Sequence, residues 1–198
     1  MRDAPEDESD DDLMRRAGTG DRDAFARLVE RHFKRTVGLA GRIVRNRSDA
    51  EEIVQEAFMR AWTKAPDWRS KTERSDGALF STWFYRVVVN LCIDHTRRPT
   101  MSGIDAAAEV ADPGPAGDEV VSRAQTTRRV GQAMARLPER QRTALSLCHF
   151  EGMSNIEAAA ILDISVGALE SLLVRARRTL KIELADLSPA VAATWSKS

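Results

Sequence analysis

The strongest functional pattern in the sequence lies near the C-terminal end. Ser165 is followed by VGALESLLVRARRTLKIEL, a stretch with small residues at its start (Gly167, Ala168, Ser171) and Arg175, Arg177, Arg178 and Lys181 behind them. Small residues let a helix approach a groove closely, and cationic side chains pair with phosphates or with guanine edges. At 100° per residue the apolar stripe Leu169, Leu172, Leu173, Ala176 and Leu180 turns away from Gly167, Ser171, Val174 and Arg178, which leaves the second face for solvent or DNA. Just upstream, Ser154 with Glu157 three residues on is a capping box that opens a short helix, IEAAAILD, and Asp163-Ile164 turns the chain before Ser165 caps the next helix. Short helix, tight turn and longer helix with an Arg-rich end is the helix-turn-helix layout. A structural helical hairpin shares that outline, and the pattern alone does not separate the two.

Other chemistries find no support. His32, His95 and His149 show no metal-ligand spacing and are expected to be surface or partly buried histidines. Cys92 and Cys148 each sit in an apolar-periodic stretch and are expected to pack as small hydrophobes, with no disulfide framework. There is no Gly-rich phosphate loop, nucleophile elbow, HExxH or paired-carboxylate pocket, so neither an enzyme nor a bound metal or cofactor is expected.

The periodicity around these residues is helical throughout. In 198 residues, 42% hydrophobic and 30% charged, there is room for two small domains, and disorder throughout is excluded. Asp21 or Asp23 caps a helix of about six turns with Phe25, Leu28, Val29, Phe33, Val37, Ala40, Ile43 and Val44 inward. Ser48 or Asp49 caps the next, with Ile53, Val54, Ala57, Phe58, Ala61 and Trp62 inward, and Pro66 ends it. A polar loop, 67–78, leads to a third helix with Phe80, Trp83, Phe84, Val87, Val88 and Leu91 apolar, stopped by Pro99. Residues 100–121, rich in Ala, Gly, Pro and acids, read as a flexible linker, and helical pattern resumes near Glu119 and breaks at Pro138. The expected fold is all-α, two small helical domains joined by that linker, the second a helix-turn-helix. The division is an acidic disordered start (1–12), a first domain (13–99), the linker (100–121), the second domain (122–187) and a tail (188–198).

Charge follows the same division. Residues 1–12 hold seven acids and one base, 13–100 hold eighteen bases and eleven acids, 101–126 five acids and one base, and 127–198 ten bases and seven acids. Two basic blocks separated by an acidic segment suit two polyanion-facing modules. The apolar runs are far short of a membrane span, so no membrane insertion is expected. The acidic start is the reverse of a signal peptide, which leads to an expectation of a cytoplasmic protein.

Three segments in order, DAEEIVQEAFMRAW (49–62), FSTWFYRVVVNLCIDHTRR (80–98) and LPERQRTALSLCHFEGMSNIEAAAILDISVGALESLLVRARRTLK (137–181), resemble the extracytoplasmic-function group of bacterial sigma factors, over most of the chain from Leu13 to about Leu184. The resemblance implies an RNA polymerase subunit with sigma regions two and four that directs core polymerase to promoters and assists DNA opening. Its implied partners are core RNA polymerase, promoter DNA and an anti-sigma factor. Asp49, Glu52, Gln55 and Glu56, at three-to-four spacing on one polar side, form the expected polymerase-binding face. For the minus-ten element the expected contacts are Arg69, Lys71 and Arg74 in the loop and Arg86, Asn90, Asp94, Arg97 and Arg98 on the helix, while Trp83 and Phe84 are expected in the core. For the minus-thirty-five element they are Ser165, Gly167, Ala168, Glu170, Ser171, Val174, Arg175 and Arg178. Many relatives carry basic residues at the positions of Glu170 and Leu172, which makes Glu170 the unusual determinant here. The rival reading is a plain repressor or activator, which would bind duplex operator without polymerase, as a two-fold dimer.

Overall fold

Side-chain caps set where five of the described helices begin. The computed structural model describes residues 8–68, 79–97 and 118–185, and among them there is no strand. Helix α1 (Asp10–Gly18) starts where Ser9 accepts from the Asp12 amide, with three aspartates in its first turn and Arg15 and Arg16 in its last, charges that complement the helix dipole. The acidic start is therefore partly structured: the expectation of disorder over 1–12 fails at Asp10–Asp12, and residues 1–7 lie outside the described residues. Glu8 and Asp10 bind bases of the next helix rather than facing solvent. Arg27 reaches Glu8 at 2.8 Å, Arg31 reaches Asp10 at 2.9 Å, and His32 Nε2 lies 2.7 Å from Asp10.

Helix α2 (Arg22–Val44) is capped by Asp21 and ends at Arg45 in the left-handed region, φ 63°. That reversal places Asn46 in an extended conformation with Oδ1 accepting from the Ser48 and Asp49 amides. Asn46, not Ser48 or Asp49, thus caps α3 (Arg47–Lys64). A short 3₁₀ turn (Ala65–Asp67) follows, and α4 (Phe80–Arg97) completes the first module. In the second module, α5 (Asp118–Arg136) begins within the span read as linker. Residues 98–117 lie outside the described residues. Pro138 caps α6 (Glu139–Leu145), a wide turn over Ser146–Phe150 bonds the Glu151 amide back to the Ser146 carbonyl, and α7 (Asn155–Leu162) and α8 (Val166–Glu183) follow.

One apolar cluster runs through both modules, from Leu13, Met14, Phe80 and Phe84 to Leu145, Leu147, Ile161 and Leu169. The modules also bond directly: Arg142 donates to the Ile43 carbonyl at 2.9 Å, Arg86 to that of Ala160 at 2.6 Å, and Thr96 to the Glu139 carboxylate at 2.5 Å. This packing widens the buried stripe of α4 to include Tyr85, Val89 and Cys92, while Trp83, Val87 and Leu91 are half-buried. Burial, with the Glu139 charge, pushes the Cys92 thiol up to about 12. Cys148 is only half-buried. Phe33 and Trp62, expected inward, sit at the rim of the core at 37% and 39% exposure, and Ala24, His32, Thr36 and Leu39 fill the face of α2 instead.

His32 corrects a further expectation. It is buried at 8% exposure, packed edge-on to Phe80, Phe84 and Tyr85 and held by Asp10 of α1. Burial works to raise the Asp10 carboxyl, but hydrogen bonds from His32 and Arg31 and their charges outweigh it and hold its pKa below the ordinary 3.8. A depressed folded-state pKa contributes stability above the unfolded value that is lost as pH falls through the folded one. Asp10→Asn is expected to destabilise the protein by about 1–3 kcal/mol near neutrality, the worth of a charge-assisted hydrogen bond. Thermal melts of both proteins should converge between about pH 5 and 3. A deficit independent of pH would disprove the role given to this carboxylate.

Candidate polymerase and DNA interfaces

The phase of α3, set by its Asn46 cap, turns Ile53, Val54, Ala57, Phe58 and Ala61 inward. Glu52 and Gln55 are exposed and Glu56 is half-exposed on the opposite side. These three form one open stripe. Asp49 stands apart from them, turned toward α4, with its carboxylate 3.1 Å from His95 Nε2. Arg60 bonds Glu56 from the next turn at 2.9 Å, an exposed pair worth about 0.3–0.5 kcal/mol, so the carboxylate is readily surrendered to a stronger partner. Two further residues belong to this surface. Met59 is 66% exposed, three residues from Glu56 and four from Gln55, and Trp62 adds an exposed ring edge. Beside Glu56 and Met59 runs a shallow groove bounded by Thr63, Asp67 and Trp83. A deformable thioether ringed by acids and amides suits a basic helix of a partner.

On α4, Arg86, Asn90, Asp94 and Arg97 fall within about 80° of one another at helical spacing. Asn90, Asp94 and Arg97 are exposed. Arg86 is not free for DNA as expected: its guanidinium is bonded to the Ala160 carbonyl of α7, and its Nε is buried without a partner among the described residues. The cause is the second module, packed against α4. Arg69, Lys71, Arg74 and Arg98 lie outside the described residues. Phe84 is buried and Trp83 packs against Trp68 and Phe80, ring centres 5.3 and 6.1 Å away, which agrees with a core role. Tyr85 is buried as well, its hydroxyl 3.4 Å from Glu151, and burial together with the Glu151 charge pushes its pKa up to about 12.

The helix-turn-helix forms as its caps dictate. Ser154 and Glu157 make the reciprocal capping box, Asp163 takes the left-handed conformation between the helices, φ 53°, and Ser165 accepts from the Ala168 amide at 3.2 Å. On α8, Leu169, Leu173, Ala176 and Leu180 are buried. Ser165, Gly167, Ala168, Glu170, Ser171, Val174, Arg175 and Arg178 are all exposed, so the structure gathers the whole expected minus-thirty-five set on one side. Val174, 64% exposed, is an apolar group with no core duty. A Cβ on Gly167 would meet nothing within 4 Å, so the fold does not require glycine there. Arg177, by contrast, is half-buried and its charge falls on His149, whose pKa burial and Arg177 together lower. Glu170 does not stand alone: Asn155 Nδ2 donates to its Oε1 at 3.4 Å, and Asn155 Oδ1 in turn accepts from the Cys148 thiol at 3.8 Å.

No helix of the described residues is long and apolar enough to cross a membrane, and among them no group of three or more His, Cys, Asp or Glu is placed to hold a metal.

Comparison with known proteins bears on both modules. Residues 28–100 match Sigma-70 region 2 and residues 127–180 match Sigma-70, region 4. The sigma-H factor of Pseudomonas aeruginosa is 33% identical over 191 residues, 91% of this chain and 96% of its own length. The ECF sigma factor SigW of Bacillus subtilis is 30% identical over 179 residues, 85% of this chain and 92% of that protein, and the sigma-E factor of Escherichia coli is 33% identical over 87% and 92%. Among solved structures, CnrH in complex with the cytosolic domain of CnrY aligns over 91% of this chain and all of that one, with TM-score 0.67 and 26% identity. RpoE from Bartonella quintana in complex with the anti-sigma factor NepR shares the fold, with TM-score 0.66 and 21% identity over 83% of this chain and 98% of that one. With both sigma-70 regions present in order and relatives matched almost end to end, the chain belongs to the extracytoplasmic-function family of RNA polymerase sigma factors, which direct polymerase to promoters.

Proposed function

We propose a division of labour among three faces of this sigma factor. The α3 stripe of Glu52, Gln55, Glu56 and Met59, with Asp49 at its edge, docks on a basic helical element of core RNA polymerase. The face of α4 carrying Asn90, Asp94 and Arg97, joined by Arg86 and by Arg69, Lys71, Arg74 and Arg98, engages the minus-ten element. Helix α8 reads the minus-thirty-five element through the eight exposed residues from Ser165 to Arg178 named above. The protein works in the cytoplasm, where the polymerase is, catalyses no reaction itself and is held in check by an anti-sigma factor.

The observation that carries this reading is the outer face of α8. Its small, polar, apolar and cationic side chains are exposed together on a helix whose opposite side is fully committed to the core. That is the composition a major groove accepts. Run-off transcription with purified core polymerase, paired with DNA binding measured with and without core, tests it. Promoter-specific transcripts and DNA binding that needs core are expected. Tight, core-independent binding to a palindrome would instead identify a conventional repressor.

The α3 surface has its own test. Glu56→Lys should weaken polymerase binding at least about tenfold, since a like charge would face the basic partner. Circular dichroism should be unchanged, because Glu56 is half-exposed and its ion pair with Arg60 is a surface pair within one helix. Equal affinity in a well-folded variant would remove Glu56 from the docking face.

A further inference from the structure

The three aspartates that open α1 have separate duties. Asp12 pairs with Arg15 on its own helix, and Asp10 holds His32 of α2. Asp11 does neither. Its half-buried carboxylate reaches two donors that are far from it in sequence: Oδ1 accepts from the Trp68 indole N–H and Oδ2 from the Phe80 amide, each at 3.2 Å. Trp68 closes the 3₁₀ turn after α3, and Phe80 opens α4. Both are buried, at 6% and 0% exposure, and their rings meet edge-on with centres 5.8 Å apart. The Phe80 amide is one of the donors that a helix start leaves without an internal partner, and a carboxylate there also complements the helix dipole.

Between Trp68 and Phe80 the sequence carries Arg69, Lys71 and Arg74, the cations given above to the minus-ten element, and Asn90, Asp94 and Arg97 follow on α4. One side chain of α1 therefore ties the two ends of this segment to each other and to the helix that bears the rest of that face. Ordering a segment on binding costs free energy, and one whose ends are already held has less freedom to lose. A carboxylate suits the task because its two oxygens accept from two donors at once, whereas a side-chain amide has one acceptor oxygen. Helix α1 has other means of staying seated, through the buried Leu13, Met14 and Ala17 and the bond of Asp10 to His32. Loss of the Asp11 carboxylate alone should thus act on the two tied ends and leave the helix in place.

We infer that Asp11 is a positioning residue for DNA opening: by holding Trp68 and Phe80 together it presets where the cations between them meet the separated minus-ten strand. The effect on DNA rests on the reading of this segment and α4 as the minus-ten face; the two-ended tie itself does not.

Two measurements on the full chain test it. In isotope-labelled sigma factor, the Trp68 indole resonance, identified by its absence in Trp68→Phe, should move in Asp11→Ala while most backbone resonances stay. Affinity is then compared for three probes. The first is core polymerase. The others, offered to holoenzyme, are a duplex with the minus-thirty-five element alone and a single strand carrying the non-template minus-ten element of a promoter recovered by run-off transcription. Asp11→Ala should weaken the single strand about fivefold or more and slow promoter opening to match, with the other two affinities unchanged. Asp11→Asn, which keeps one acceptor, should fall between Asp11→Ala and wild type. Loss of all three affinities together would make Asp11 a residue of the fold and overturn the inference, as would an unmoved indole resonance. The double variant Lys71→Ala, Arg74→Ala separates the two readings. If it weakens the single strand and Asp11→Ala does not, the positioning role is overturned and the minus-ten face stands. If it changes nothing, the minus-ten reading of the segment falls, and the positioning role with it.

Discussion

Replacing Gly18 with alanine is expected to cost about 3 kcal/mol of stability, the upper end of what overpacking does in a filled interior. A Cβ there would lie 2.3 Å from the Ala65 oxygen, 2.8 Å from the Ala65 carbonyl carbon and 3.3 Å from Pro66 Cα. All three are backbone atoms of the 3₁₀ turn, which cannot swing aside as a side chain would. Helix α1 would have to lift off. It carries the buried Leu13, Met14 and Ala17, the Asp10 partner of His32, and Asp11, whose carboxylate accepts from the Trp68 indole at 3.2 Å and from the Phe80 amide at 3.2 Å. Lifting α1 therefore also loosens the start of α4. Gly167→Ala is the natural control. With open space around that Cβ, the substitution should stabilise α8 by up to about 1 kcal/mol through helix propensity. Denaturant unfolding of the two variants should shift in opposite directions. A Gly18→Ala protein as stable as wild type would mean that α1 is not seated on the turn.

Gly18 also marks where reading from sequence stops. Helices α2, α7 and α8 were legible because their signals are local: Asp21, Ser154 with Glu157, and Ser165 each bond the amide three residues ahead. Helix α1 was not, because the acids at 8–12 look like a solvated tail until Arg27, Arg31 and His32, about twenty residues away, come into contact with them. The cap of α3 was missed because the left-handed Arg45 that aims Asn46 carries no glycine signature. The inward stripes of α2 and α4 were read too narrowly, since α1 covers a flank of α2 at His32 and the second module a flank of α4 that periodicity treats as solvent.

For the candidate faces the same boundary holds. Helical spacing alone places Glu52, Gln55 and Glu56 together and collects the α8 set. Met59 escaped because a methionine in an apolar-periodic helix reads as core, although its distance from Gln55 and Glu56 put it on their stripe. The partners of Asp49 and Arg86 come from other elements, His95 and Ala160, and no local pattern announces them.

The partner of Glu170 sharpens what α8 is expected to read. Alone on an exposed helix flank, a carboxylate samples many rotamers and is repelled by phosphate. Held by Asn155 at the start of α7, it is biased toward one position before DNA arrives, and it can accept from the exocyclic amino group of a cytosine. A well-placed contact of that kind discriminates by about 1–3 kcal/mol per base pair, roughly 5- to 150-fold. Selection of promoter variants by holoenzyme should therefore return a different preferred minus-thirty-five sequence for Glu170→Ala than for wild type. Asn155→Ala should keep the wild-type preference but weaken it, because the reader remains and only its orientation is lost. Arg178→Ala should lower binding to all sequences about equally and flatten the salt dependence, as the loss of a phosphate contact does. Arg175→Ala should act mainly at the favoured base. If Glu170→Ala selects the same sequence as wild type, the carboxylate only fastens α8 to α7. The melting temperature of Glu170→Ala would then fall in step with that of Asn155→Ala, while promoter choice would rest on Ser171, Val174 and Arg175 alone.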